Sequence, residues 1–310
     1  MKITLHKILI FILSCLGIAL LTSYLGALNW TFDLFSHFIF QYLILTIITL
    51  VVCAFIKKYK TILYFSPILA LLTFSVFSIY FGGNKNIELQ NTVKISCINI
   101  LSSNKNYKDV GAYIENESPD ILILLEMNRL WETNLESSLL SFPNKLVINR
   151  TDNFGIAMYS KLPLSNIRKE LIGTNDTPSI TADFLIDNKK TTLLATHTLP
   201  PMGPEQFFKR NNQLEAITEF RKKIKNGFIL VGDLNTSSYS YHFNKLLKES
   251  NLVDSRKGFG ILSTWPTWMP LAYTTLDHCL ISKGIMVKSR DVGNQVGSDH
   301  FPINIELGYN

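Results

Sequence analysis

The sequence predicts an α/β (α+β) domain with a sheet-on-sheet core and helices outside, preceded by three transmembrane helices. Three observations carry this expectation. The first 83 residues are three long apolar stretches. From residue 91 onward, short apolar runs bounded by polar turns alternate with amphipathic helical segments. Nearly all the charge lies in that second part, although 47% of the 310 residues are hydrophobic.

The apolar stretches fall at about 8–28, 38–56 and 61–81, each close to the ~20 residues a helix needs to cross a bilayer. Their few polar residues are mainly Ser, Thr, Gln and Tyr, which backbone carbonyls or the membrane interface can satisfy. The first stretch has the basic start and apolar core of a signal peptide. Two further spans follow at once, however, and Leu25-Gly26-Ala27 is a poor cleavage site, so retention is expected. No ionisable residue lies near the centre of a span, which argues for anchoring rather than transport. Lys2 and Lys7 precede the first span and Lys57, Lys58 and Lys60 separate the second from the third, whereas residues 29–37 carry no Lys or Arg. The positive-inside bias then puts the N-terminus in the cytoplasm. Three crossings place the remainder outside it, as the extracytoplasmic domain of an integral plasma or inner membrane protein. Trp30, Phe32, Tyr64 and Tyr80 fit an interfacial aromatic belt.

Residues 1–83 thus read as the anchor, 84–90 as a linker opened by Gly82-Gly83-Asn84-Lys85-Asn86, and 91–310 as a single α/β domain. In the last, 93–100, 121–126, 154–159, 180–186, 191–197, 228–232, 276–282 and 302–307 read as strands. The segments 107–117, 129–139, 205–225 and 241–250 read as helices.

Charge and cysteine usage narrow the function. The anchor holds five Lys and one acid, which leaves 25 basic and 23 acidic residues of the chain's 30 and 24 for the rest. A nearly neutral domain lacks the basic surplus of a general nucleic-acid binder. Cys15 and Cys53 lie in apolar runs. Cys97 and Cys279 read as small buried strand residues rather than a bridge, and no CxxC or Cys/His cluster suggests zinc.

Polar residues recur where apolar runs end. Asn99 sits inside 95–101, Glu126 closes Ile121-Leu122-Ile123-Leu124-Leu125, and His197 closes 191–196. Asp233 follows Phe228-Ile229-Leu230-Val231-Gly232, with Asn235 two residues on. Asp277 opens its strand, and Gly297-Ser298-Asp299-His300 precedes the last one. Buried strand ends seldom carry so many polar groups unless these converge on a ligand. Taken singly, each has a structural reading: a bulge for Asn99, a turn for Gly-Asp-x-Asn, a helix cap for Asp233, a satisfied histidine for His197 or His300. Strand alternation points His278 to the face opposite Asp277.

The ordered set Asn99, Pro119-Asp120-Ile121-Leu122-Ile123-Leu124-Leu125-Glu126, His197, Gly232-Asp233-Leu234-Asn235, Asp277-His278 and Gly297-Ser298-Asp299-His300 resembles the endonuclease/exonuclease/phosphatase superfamily, of DNase I-like fold. The resemblance covers about 91–310. Asn153-Phe154-Gly155-Ile156-Ala157-Met158-Tyr159-Ser160 and Thr264-Trp265-Pro266 add similarity to the subgroup with N-terminal transmembrane helices. It implies a four-layer α/β/β/α sandwich and a divalent-metal-dependent phosphoesterase. Such chemistry needs charge neutralisation, an aligned water and a stabilised leaving oxygen. Glu126 is the principal metal-ligand candidate, with Asn99 and Asp299 as further oxygen donors. An all-oxygen set suits Mg²⁺, with Mn²⁺ or Ca²⁺ as substitutes. The resemblance pairs Asp277 with His300, which acts as general base or polarises the phosphate. It gives Asp233 the attacking water, Asn235 a phosphate oxygen, and His197 the phosphate or the leaving group.

Asn104, Arg150, Asn153 and Arg210 are second-tier substrate-binding candidates, and 200–204 (Pro-Pro-Met-Gly-Pro) should form a rigid loop over the site. The expected partners are the bilayer and a phosphorylated substrate, a phospholipid or small molecule in preference to nucleic acid, with no obligate protein partner. The competing function is a catalytically silent, membrane-tethered module that binds lipid or protein.

Overall fold

The computed structural model describes residues 4–82 and 89–310, so most of the linker read at 84–90 lies outside the described residues, as do Lys2 and Gly83. The anchor comprises α1 (Leu5–Tyr24), the short α2 (Trp30–Leu34), α3 (Ile39–Phe55) and α4 (Tyr59–Phe77). Three helical stretches, Leu5–Tyr24, Trp30–Phe55 and Tyr59–Tyr80, are long and apolar enough to cross a membrane. The first and third begin within a few residues of the expected positions; the second begins well before 38, at Trp30, because α2 precedes α3. The unexpected element is α2, which starts because the Asn29 side chain accepts from the Thr31 N–H, an N-cap in the segment read as a plain loop. Leu9, Leu13, Leu50, Cys53 and Phe65 pack α1, α3 and α4 together. Phe11, Phe55, Leu63 and Phe74 point outward, as lipid-facing side chains should.

The second part follows in the order β1 (Thr92–Asn99), α5 (Tyr107–Glu117), β2 (Ile121–Leu125), α6 (Arg129–Asn134), β3 (Asn144–Ile148), β4 (Ile156–Ser160), β5 (Ser165–Leu171), β6 (Pro178–Ile186), β7 (Lys189–His197), α7 (Pro204–Lys222), β8 (Gly227–Asp233), α8 (Tyr241–Ser250), β9 (Leu252–Asp254), β10 (Asp277–Ser282), β11 (Ile285–Val292) and β12 (Ile303–Tyr309). All eight expected strands are present. Four more, β3, β5, β9 and β11, were not expected. The helix read over 129–139 ends at Asn134 and resumes only as a 3₁₀ turn, Ser137–Leu139.

The strands form two six-stranded sheets, ordered β11-β12-β1-β2-β4-β3 and β5-β6-β7-β8-β10-β9. Only β1/β2 and β7/β8 pair in parallel; the other strand pairs are antiparallel. Three apolar clusters explain the layering. Ile95, Cys97, Ile121, Ile123, Ala195, Ile229, Val231 and Cys279 lie between the sheets. Ile98, Leu122 and Leu124 meet Ile114 of α5 and Trp131 of α6. Leu194, Leu230 and Leu280 meet Leu214 and Ile217 of α7 and Phe243 of α8. The central strands are thus covered on both faces, which is why they read as unbroken apolar runs. Four layers result, helices, sheet, sheet, helices, as the sequence implied. Cys97 and Cys279 are free and buried, with burial pushing both thiols up, Cys279 to about 12.

The anchor docks on the sandwich. Asp33 of α2 is fully buried against Arg210 of α7, Oδ2 to Nη2 2.6 Å, and its other oxygen accepts from Ser240 Oγ at 2.7 Å. Ser237 Oγ donates to Ser36 O (2.9 Å), and Gln41 Nε2 of α3 donates to Tyr273 O (2.8 Å). Tyr239 and Ile261 join the apolar cluster of Leu20, Leu43 and Leu72.

Candidate active site

The topology delivers polar groups to one end of the sandwich. The parallel pair β1/β2 ends at Asn99 and Leu125, with Glu126 next, and the parallel pair β7/β8 ends with His197 opposite Asp233. On β8's other side β10 runs antiparallel, so its first residue, Asp277, is the direct partner of Asp233. Glu126 turns off its strand at φ 65°, a left-handed conformation unusual for a residue with a side chain. Its carboxylate accepts from the Ser102 N–H at 2.9 Å. Gly232 stands at φ 146°, where a Cβ would lie 1.8 Å from Thr196 O. Glycine there lets β8 press against β7 immediately before Asp233.

Asp233 is the hub. Its Oδ2 lies 3.4 Å from Asn99 Nδ2, 3.5 Å from His197 Nε2 and 3.6 Å from His300 Nε2, while Oδ1 accepts from the Asn235 N–H at 2.8 Å. His300 is held from its other side, Nδ1 to Asp277 Oδ2 2.8 Å, and Asp277 is fixed in turn by Thr264 Oγ1, which accepts its N–H. The Asn235 side chain donates to Thr198 O (2.8 Å). Asp299 accepts from the Trp265 indole N–H at 3.2 Å, and its second carboxylate oxygen is buried with no partner.

The charges are out of balance. Burial pushes the Glu126 carboxyl up, against the pull of the Ser102 and Asn99 hydrogen bonds. It likewise raises Asp233, with the charges of Asp277 and Glu126 adding to the effect and His300 opposing it. Burial would lower His300, but the carboxylates of Asp277 and Asp233 outweigh it and raise the imidazole to about 10. Burial and the His300 charge push His197 down to about 4, so it is neutral. Four carboxyl groups, those of Glu126, Asp233, Asp277 and Asp299, thus crowd one imidazolium, and the upward push on Glu126 and Asp233 reflects the cost of ionising them there. Ionising such a crowded buried set is favoured by a cation beside it. Among the described residues, ligand atoms of Asp233, Asp277 and His300 lie within 4.8 Å of one another. Two of these, Asp277 and His300, bond each other; the partnerless oxygen of Asp299 and the Glu126 carboxylate, which line the same cleft, are of the hard oxygen type a divalent cation takes, whereas Asn99 Oδ1 accepts from the Leu101 N–H.

These groups line a cleft of about 970 Å³. It contains Glu126, His197, Asp233, Asn235, Asp299 and His300, with Asn153 of the second-tier candidates and the expected loop at Pro200, Pro201 and Met202. Asn99 and Asp277 stand directly behind it, as supports of Asp233 and His300. The other second-tier candidates are committed elsewhere. Asn104 Nδ2 ties Ile100 O to Val296 O. Arg150 pairs with Asp152 and Asp176 beside a neighbouring depression, and Arg210 is spent on Asp33 and the Asn235 carbonyl. His278 faces away as expected, with Nε2 on Thr236 O and its ring against Phe243.

Residues not assigned to the site from sequence also line the cleft: Trp265, Phe154, and from the anchor Trp30, Leu34, His37 and Phe38. Thr264-Trp265-Pro266 was visible as a motif without a role. Nothing local marks the anchor residues, because their place depends on docking.

Two facing six-stranded sheets with flanking helices and a carboxylate/histidine cluster at one end define a protein of DNase I-like phosphoesterase fold. The profile of the Endonuclease/Exonuclease/phosphatase family, whose members are hydrolases of phosphoester bonds, matches residues 97–300, and the chain belongs to that family. Solved structures agree on the fold. The catalytic domain of human Nocturnin with a bound sulfate anion is 19% identical, with a TM-score of 0.59 over 72% of this chain and 97% of that one. Humanized D. rerio TDP2 is 16% identical, with a TM-score of 0.58 over 70% and 99%. A functionally unknown conserved protein from Enterococcus faecalis, 16% identical, gives 0.58 over 70% and 100%. No curated protein matches the sequence.

Proposed function

We propose that the protein is a membrane-anchored, divalent-metal-dependent phosphoesterase that hydrolyses a phosphodiester or phosphomonoester by in-line attack of water. The observation that carries the reading is the hub at Asp233, ringed by Asn99, His197 and the Asp277-held His300, in one cleft with Glu126 and Asp299. Glu126, Asn99 and Asp299 would hold the ion, Mg²⁺ in preference to Mn²⁺ or Ca²⁺, which supplies charge neutralisation at the phosphate. Asp233 orients the attacking water and accepts its proton, and His300, held as the imidazolium by Asp277 and Asp233, polarises the phosphate. Asp277 fixes His300 through Nδ1, leaving Nε2 directed into the cleft. His197, neutral, donates to a phosphate oxygen or the leaving group, and Asn235 donates to phosphate.

The same reading puts residues 29–38 and the sandwich on the extracytoplasmic side, with Lys57, Lys58 and Lys60 in the cytoplasm. The hydrogen bonds from the sandwich to Asp33 and Ser36 support the first half, since both partners must share one side of the bilayer. A panel of phospholipid vesicles, single- and double-stranded nucleic acid and phosphorylated metabolites, offered to the full chain with Mg²⁺, tests the function. Turnover of at least one class is expected, falling at least a hundredfold in Asp233→Ala. Binding without turnover across the panel would instead identify the silent lipid- or protein-binding module.

A further inference from the structure

Resting on that phosphoesterase reading, we infer that the substrate is a phosphoester lipid drawn from the bilayer. Its phosphate sits at the Asp233 and His300 end of the cleft, and its alkyl part lies against a wall formed jointly by the anchor and the sandwich. Trp30, Leu34 and Phe38 supply the anchor's half of this wall, Leu199 and Met202 the other. The wall is not an accident of proximity. Asp33, one turn from Trp30 and next to Leu34, is locked to Arg210 with both side chains fully buried, and Arg210 Nη1 donates to the carbonyl of Asn235 (2.9 Å), a residue of the site itself. Asp33 of α2 and the Asn235 backbone are therefore held by one guanidinium, that of Arg210.

Three further features select a lipid. First, among the described residues none of those lining the cleft is Lys or Arg. A groove that tracks a nucleic-acid backbone relies on such charges, whereas a single phosphate facing metal ligands does not. Second, apolar side chains stand exposed around the mouth. Met202 is 77% exposed, and the loop that carries Trp265 into the cleft also presents Trp268 at 66% and Leu271 at 87%. That loop is tied to α3, a membrane-spanning helix, by the Gln41 to Tyr273 hydrogen bond. Such residues fit the interfacial layer of a bilayer better than open water. Third, His37 of the anchor lines the cleft, a polar side chain among the apolar residues of the wall.

Calorimetric binding of dialkyl phosphates to the full chain in detergent with Mg²⁺ tests the wall separately from catalysis. Dibutyl phosphate is expected to bind at least tenfold more tightly than diethyl phosphate, and the Trp30→Ala/Leu34→Ala double variant should shrink that advantage below threefold. A control for partitioning into micelles is built in, because partitioning is the same for both proteins. Hydrolysis is then followed with dioleoyl phosphatidylglycerol and phosphatidylethanolamine vesicles alongside soluble bis-p-nitrophenyl phosphate. Wild type should hydrolyse lipid, and the ratio of lipid to soluble-substrate turnover should fall about tenfold in the double variant. Equal binding of the two dialkyl phosphates, or an advantage unchanged in the variant, would overturn the lipid assignment even if the soluble ester is hydrolysed. Chain-length-dependent binding with no hydrolysis of any ester would leave the wall standing and remove the phosphoesterase reading instead.

Discussion

Glu126 shows how much a single backbone conformation says about a site. A left-handed φ for a residue with a side chain stores about 1–3 kcal/mol and persists where the surroundings fix it. Here those surroundings are the Ser102 N–H and the neighbouring Asn99. Glu126→Gly should therefore leave the melting temperature of the full chain unchanged or raise it while lowering phosphoester hydrolysis more than a hundredfold; a folded variant with wild-type rate would remove Glu126 from the chemistry. Asp277→Asn should cut turnover by about 10²–10⁴, because it withdraws the carboxylate that orients His300. Gly232→Ala runs the other way. The added methyl meets the Thr196 carbonyl, so loss of fold is expected before loss of chemistry. The sequence made Asp233, Asn235, Asp299 and His300 visible through their motifs. Asn104, Arg150 and Arg210 misled, because an Asn or Arg far from any motif does not disclose whether its partner is substrate or protein.

Among the elements, burial separates what could be read from what could not. β2 and β8 are covered on both faces and announce themselves as apolar runs. β5 (Ser-Asn-Ile-Arg-Lys-Glu-Leu) and β11 (Ile-Met-Val-Lys-Ser-Arg-Asp-Val) are edge strands, and the charge that protects such edges from pairing also hides them. β9, only three residues long, ends on Asp254, whose carboxylate is buried against the Arg256 guanidinium (2.7 Å). Burial would raise the Asp254 pKa, but Arg256 outweighs it and holds the carboxyl below its usual value. A depressed folded-state pKa contributes stability above the unfolded value of about 4, which is lost as pH falls through the folded value. Thermal unfolding in detergent should thus show a melting temperature that drops steeply on acidification below about pH 4, with a shallower drop in Asp254→Asn. Identical slopes would contradict the pairing. Between anchor and sandwich, Arg210→Met should cost about 3–5 kcal/mol by leaving Asp33 buried and unpaired, read as a lowered melting temperature of the full chain.

At the scale of the whole molecule, what the sequence concealed is that the anchor is part of the site. Hydropathy marks three spans as separate from the domain that follows, because each is read against lipid or water and not against the other. The structure joins them through Asp33, Ser36 and Gln41. If all three stretches cross the bilayer, as proposed, residues 57–60 and the sandwich lie on opposite sides. Membrane-impermeant maleimide should label Leu271→Cys in intact cells and Lys58→Cys only after permeabilisation; the reverse pattern would invert the orientation. The central claim is metal-dependent phosphoester hydrolysis at the Glu126 and Asp233 cluster, and the rate of bis-p-nitrophenyl phosphate hydrolysis by the full chain in detergent tests it most directly. The predicted result is turnover with Mg²⁺ that EDTA abolishes, excess Mg²⁺ restores, and neither Glu126→Ala nor His300→Ala retains. Turnover that survives both EDTA and these substitutions, or no turnover with Mg²⁺, Mn²⁺ or Ca²⁺, would contradict it.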